Sequence, residues 1–331
     1  MKSPKEWTRE DLHLHLQHAI ELELWTIPLY LSAVYSIKDL DQIENKSDYP
    51  EIAKLVLSVV IQEMLHLELV GNLSVALGHT PEFKHPEYKD IEEIPFIHPT
   101  PSELPEEIKD YKIGIGPLNN EQLKLFCAIE FPDEPRTAPW AEREEYDSIG
   151  ELYEALREGI GYLWDECYVE STQRAPQFMG YTKKNNFDVG FSQEIKCLDS
   201  AMKAIDAIVA QGEGVSHGEV PRNFQPPKMD PEHFDPGWFS PTLSHYEKFH
   251  IAMHAAQLPE IYQIQSANSA QTTEAQQKLA EDFSTLLELL NQSFSSASDQ
   301  MHDQFYMSMF GVCDSITAVW RTGGVPNFSR P

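Results

Sequence analysis

Basic residues are what this sequence lacks most plainly: 25 Lys and Arg stand against 53 Asp and Glu, a formal charge of −28. Neutralising a phosphate backbone takes clustered Lys or Arg, and no basic stripe occurs, so nucleic acid is not an expected partner. Cysteine is sparse as well. Cys127, Cys167, Cys197 and Cys313 are scattered, with no CxxC pair and no dense framework. That excludes a disulfide scaffold and a rubredoxin-like iron centre, and it fits reduced thiols in a cytoplasmic protein. No stretch approaches the ~18 uninterrupted apolar residues of a membrane span. The opening Met1-Lys2-Ser3-Pro4 leads straight into polar sequence without a signal core, so no membrane association is expected. A Rossmann glycine fingerprint, a Walker loop and a G-x-S-x-G elbow are also missing. Ser, His and Asp are plentiful, but their positions define no hydrolytic triad.

What is present is an ordinary globular balance, 41% hydrophobic and 24% charged over 331 residues, enough to bury a substantial core as one domain spanning 1–331. The apolar periodicity is helical. Thr8 and Asp11 have capping-box spacing ahead of a first helix running to about residue 37. Leu12, Leu16, Ala19, Glu23, Ile27, Tyr30 and Val34 recur at three- and four-residue steps along it, which marks one inward face. Pro28 removes one amide donor from its middle. A second helix is predicted over 51–77, with Leu55, Val59, Glu63, His66, Val70 and Leu73 as its stripe. Both stripes contain a carboxylate, whose burial is costly unless it is paired or ligated.

Further helices are predicted over 149–168, 193–213, 243–265 and, with breaks, 273–320. Two proline-rich insertions interrupt them. Residues 81–147 form a long crossover in which ten of the 23 prolines fall between Pro81 and Pro139, with a little strand or 3₁₀ structure expected. Residues 215–241 hold six prolines together with Phe224, Trp238 and Phe239, and are expected to wall an active site. Residues 273–331 form a C-terminal helical extension in which 305–310 are read as core packing. The expected architecture is all-α: a four-helix bundle with additional helices and these insertions.

Two tetrapeptides carry the chemistry. Glu63-Met64-Leu65-His66 and Glu247-Lys248-Phe249-His250 each place a carboxylate and an imidazole three residues apart, on one helix face and one turn apart. One such pair is commonplace; two, with glutamates from two further helices, form the ligand set of a carboxylate-bridged dinuclear centre. The expected ligands are Glu23, Glu63, His66, Glu213, Glu247 and His250. Carboxylates can bridge or terminate and imidazole is a neutral nitrogen donor, so two irons suit the set, with manganese or a mixed Mn/Fe pair open. Glu23 is preferred to Glu21 because it continues the apolar stripe. Glu213 lies between Gly212 and Gly214; Glu151, Glu154, Glu158 and Glu166 are alternative sources of that carboxylate, although Glu154 and Glu158 share a charged face. Tyr30 is placed to hydrogen-bond a carboxylate or bound oxygen. His217 and His245 are read as acid–base or supporting groups. Asp299 and His302 are left outside the set.

The segment Ala19-Ile20-Glu21-Leu22-Glu23-Leu24-Trp25-Thr26-Ile27-Pro28-Leu29-Tyr30-Leu31 resembles the ferritin-like family related to the iminophenyl-pyruvate dimer synthases. The resemblance continues through Gln62-Glu63-Met64-Leu65-His66, Gln211-Gly212-Glu213-Gly214 and Ser244-His245-Tyr246-Glu247-Lys248-Phe249-His250, and covers about 12–265. It implies a ferritin-like bundle with the ligands named above. Some members act in bacterial indole-pigment pathways, in oxidative coupling of imines derived from aromatic amino acids. Those enzymes are much longer than this chain, and Ala210 stands where many relatives carry an acidic residue.

The functional expectation is a cytoplasmic non-haem diiron oxygenase or oxidase. It would take dioxygen as co-substrate and a small organic, amino-acid-derived metabolite as substrate, draw electrons from an external reductase, and form a homodimer. A ferroxidase and a non-catalytic interaction module are the alternatives.

Overall fold

The computed structural model describes residues 1–89, 91, 93–97, 104–132, 139–140, 146–179, 194–212, 243–265, 269–295 and 299–330. Among them the fold is all-helical: α1 (Arg9–Tyr35), α2 (Glu51–Ala76), α3 (Asn120–Ile129), α4 (Ile149–Cys167), α5 (Leu198–Gly212), α6 (His245–Met253), α7 (Ala270–Ser293) and α8 (Asp299–Arg321). Helix α1 packs on α2 and α4, and α5 packs on the same two, which closes a four-helix ring. The short α3 and α6 pair with each other, and α6 also rests on α2 and α5. The hairpin of α7 and α8 docks through α8 onto α1.

The boundaries of the long helices follow from their caps. Thr8 and Asp11 form the expected reciprocal capping box, which satisfies two orphan amides at the start of α1. Helix α2 is buried on nearly every face, as a helix apolar all round must be. It ends at Gly78, whose φ of +75° lets His79 N–H reach Ser74 O at 2.9 Å and Gly78 N–H reach Val75 O at 3.2 Å. This is the Schellman arrangement, and glycine adopts its left-handed residue without strain. In the middle of α2, Gly71 makes room for the Phe294 ring: a Cβ there would lie 2.4 Å from Phe294 Cζ.

Three expectations are corrected. The crossover contains a true α-helix, α3, started by Asn119, whose side chain accepts from Gln122 N–H at 2.9 Å. The helix expected over 243–265 ends at Met253. Further on, Pro259 bars a return to helix, and the chain runs extended past the end of α1, with Lys38 N–H on Glu260 O at 2.8 Å and Tyr262 N–H on Ser36 O at 2.9 Å. In α8, Phe305 is buried, but Met307 and Phe310 are 72% and 56% exposed, so 305–310 are core on one side only. The four cysteines are unpaired, and no helix among the described residues is long and apolar enough to cross a membrane.

Candidate metal centre

Five ionisable side chains from four segments meet inside the bundle: Glu23 of α1, Glu63 and His66 of α2, Glu130 at the end of α3, and His245 at the start of α6, none more than 3% exposed. Each carboxylate has one oxygen held by a hydroxyl. Tyr153 OH of α4 donates to Glu23 Oε1 at 2.5 Å, Thr26 Oγ1 to Glu63 Oε2 at 2.6 Å, and Tyr30 OH to Glu130 Oε1 at 2.6 Å. The second oxygen of each then faces the imidazoles. Glu23 Oε2 lies 3.5 Å and Glu63 Oε1 3.8 Å from His66 Nδ1. His245 Nδ1 lies 2.8 Å from Glu63 Oε1 and 3.4 Å from Glu130 Oε2. The two imidazoles stack with centroids 5.2 Å apart.

The donor set fits a metal. His66 Nε2 meets Gln211 Oε1 of α5 at 3.0 Å; because that amide oxygen can only accept, Nε2 carries the hydrogen and Nδ1 keeps its lone pair. A lone pair facing two carboxylate oxygens across 3.5 and 3.8 Å calls for a proton or a metal ion between them. Both ring nitrogens of His245 are buried: Nδ1 faces Glu63 Oε1 and Glu130 Oε2, and Nε2 has no hydrogen-bond partner among the described residues. Glu63, His66 and His245 each offer an atom within 4.8 Å of the other two. Oxygen and imidazole donors together suit a first-row transition ion.

The electrostatics agree. Burial pushes the Glu23 carboxyl up to about 7, against the opposing Tyr153 hydrogen bond. Burial takes the His66 imidazole down to about 4. It would lower His245 as well, but the negative charge and hydrogen bonding of Glu130 and Glu63 outweigh it and leave that group at about 9. The Lys248 ammonium, fully buried and donating to Gln62 Oε1, is brought down to about 7 by burial despite nearby carboxylates. Burial and the adjacent Glu130 or Glu23 charge hold the Tyr30 and Tyr153 phenols well above their ordinary range, so both remain donors.

A pH effect follows. A proton on a ligand must leave when an ion binds, and His245 holds one up to about pH 9. Apparent metal affinity should therefore rise roughly tenfold per unit from pH 7 to 9. Competition titrations against a chelator measure it. A flat profile over that interval would remove His245 from the ligand set.

The structure brings together Glu23, Glu63, His66, Tyr30 and His245, but not the second tetrapeptide. Glu247 Oε2 accepts from Ser244 N–H at 2.7 Å and completes a capping box. His250 Nε2 lies 3.0 Å from Glu107 Oε1, in a separate cluster. The fully buried residues of α6 are His245, Lys248, Phe249 and Ala252, the i, i+3, i+4, i+7 set; Glu247 is taken up by the helix cap, and His250, although buried, meets Glu107 rather than the central cluster. Glu213 and His217, with the wall residues Phe224, Trp238 and Phe239, lie outside the described residues. Helix α5 nevertheless ends at the site: a Cβ on Gly212 would lie 3.7 Å from Glu130 Oε2. Among the alternatives on α4, Glu151 accepts from Asp147 N–H at 2.8 Å, while Glu154 and Glu166 are exposed. Glu130, Tyr153, Gln211 and Lys248 were not anticipated. The one visible signal was Leu123, Phe126, Cys127 and Glu130 at helical spacing.

An apolar cavity of about 70 Å³ lies between α1, α2 and the C-terminal hairpin, lined by Leu24, Ile27, Met64, Phe283 and Phe305 among others. None of the five clustered ligands lines it.

The chain belongs to the ferritin-like family, whose model matches residues 16–254. It is similar to dichlorochromopyrrolate synthase from Lentzea aerocolonigenes, with 26% identity over 237 residues, 62% of this chain and 22% of that protein. The chain thus spans under a quarter of that curated relative's length. A crystal structure of a ferritin-like protein from Caulobacter vibrioides matches with a TM-score of 0.72 at 29% identity, covering 98% of this chain and 99% of that one. The family resemblance carried by the four motifs, all inside the matched span, is therefore real.

Proposed function

We propose that this chain is a non-haem dinuclear iron oxidoreductase that uses dioxygen to oxidise or oxidatively couple a small, amino-acid-derived metabolite. The observation that carries the reading is the meeting of Glu23, Glu63 and Glu130 with His66 and His245 in a site closed to solvent. Three buried carboxylates beside two imidazoles form a donor set that suits two divalent ions, with His245 giving up its proton when they bind. Two redox ions held there would supply electrons to dioxygen. The chain contributes the rest: three hydroxyls fix the carboxylates with one oxygen each directed inward, Gln211 orients His66, and closed packing keeps water out. Glu213, which follows Gly212 in sequence, is proposed as a further carboxylate. The similarity to dichlorochromopyrrolate synthase supports biosynthetic oxidation over iron storage.

The test loads the metal-stripped protein anaerobically with Fe²⁺ and follows dioxygen uptake and optical spectra with aromatic amino-acid-derived imines and a reductant. Two bound irons and substrate-dependent uptake are expected. Glu213→Gln should lose metal where Glu154→Gln keeps it. No transition metal after reconstitution, or a ferric core growing past two irons, would overturn the reading. Preferential retention of manganese would reassign the ion.

A further inference from the structure

We propose that Glu107, His250 and His254 form a second, mononuclear metal site for a borderline divalent ion such as Zn²⁺, distinct from the central cluster. His250 and His254 stand four residues apart at the C-terminal end of α6, with ring centroids 4.3 Å apart. Such spacing directs two imidazoles to one side of a helix. The Glu107 carboxylate, from the crossover, reaches both: Oε1 lies 3.0 Å from His250 Nε2 and Oε2 3.3 Å from His254 Nε2. The three side chains each supply an atom within 4.8 Å of the others. A tetrahedral ion with bonds of about 2.0–2.1 Å separates its ligands by roughly 3.4 Å, close to the observed spacing.

The tautomer of His254 points to a cation. His254 Nδ1 lies 2.9 Å from the His250 carbonyl oxygen, which can only accept, so Nδ1 is the nitrogen that carries hydrogen. In the neutral ring Nε2 is then a lone pair, and it faces a carboxylate oxygen. Two acceptors do not rest at 3.3 Å unless a proton or a metal ion lies between them. A backbone carbonyl holding the distal ring N–H is also the usual support for a metal-bound histidine. The last turn of a helix favours positive charge, which helps either occupant. His250 is nearly buried, whereas Glu107 and His254 are about half exposed. That arrangement leaves a fourth position open to water, as in two-histidine, one-carboxylate zinc sites.

Such an ion would clamp the crossover to the far end of the nine-residue helix whose first residue is His245. The site is independent of the function proposed above, and the experiment keeps the two apart. Full-length protein, stripped and then reconstituted with iron, is titrated with Zn²⁺, and with Co²⁺ as a coloured stand-in. Wild type should take one more Zn²⁺ per chain than His254→Ala or Glu107→Gln, with tetrahedral Co²⁺ bands that both variants lose and iron content that both keep. At a hundredfold excess over Kd, Zn²⁺ should raise the thermal midpoint of wild type by roughly 5 °C, and neither variant should respond. Equal Zn²⁺ stoichiometry in wild type and both variants would overturn the site and leave a proton between Nε2 and Oε2. Loss of iron along with zinc would overturn its separateness. If the central cluster takes no iron, the zinc difference between wild type and variants still decides the matter.

Discussion

Glu63→Ala should weaken metal binding by at least about a hundredfold, whereas Glu247→Ala should leave it intact. Glu63 Oε1 is the oxygen that faces both imidazoles, 2.8 Å from His245 Nδ1 and 3.8 Å from His66 Nδ1. Removing it withdraws a charge no neighbour can replace, and even the loss of a supporting partner typically costs 10–100-fold in affinity. Glu247 faces the other way and caps α6. Its loss should cost about 1 kcal/mol of stability and no metal. Elemental analysis of both variants after reconstitution decides between them. Full metal in Glu63→Ala, or depletion in Glu247→Ala, would restore the arrangement suggested by the two tetrapeptides.

The largest loss of stability away from the ligands is expected for Trp320→Ala, about 3–5 kcal/mol. Trp320 is 1% exposed, and its indole N–H donates to Ser32 O at 2.9 Å. Truncation would leave a cavity between α8 and α1 and strip a partner from a buried carbonyl. Phe310→Ala, on the exposed side of the same helix, should stay within about 0.5 kcal/mol. Denaturant unfolding of both variants tests whether the C-terminal hairpin is integral to the bundle. Equal stabilities would mean that it is not.

The bundle was legible because its long helices carry redundant signals. In α1 a capping box and an apolar stripe agree, in α2 an apolar stripe and a terminating glycine, and Glu23, Glu63 and His66 could be placed on inward faces from spacing alone. The short helices carry no such redundancy. Ten residues of α3 sit in a proline-rich stretch whose composition outweighed about two turns of good periodicity, so Glu130 went unseen. In α6 a three-residue spacing shows that Glu247 and His250 lie one turn apart, not that they point at the central cluster: His250 is buried against Glu107 instead. The same letters, Ser244-His245-Tyr246-Glu247, also spell a capping box, and that reading prevailed. Tyr153 and Gln211 reach the site through tertiary packing of α4 and α5, which no local pattern encodes.

The C-terminal end of α1 gathers partners from far along the chain. Ser36 Oγ accepts from Leu118 N–H, Ser36 O from Tyr262 N–H, and Ser32 O from an indole 288 residues away. Contacts this remote close only after long loops have been ordered, which slows folding. On a ribosome adding 5–20 residues per second, the α1–α2 pair would exist for roughly 10–50 s before α8 emerged to cover it. During that interval the apolar flank of Leu24, Ile27 and Leu31 stands open to other nascent chains. Newly made protein should therefore depend on holding chaperones through its second half, however stable the finished bundle becomes.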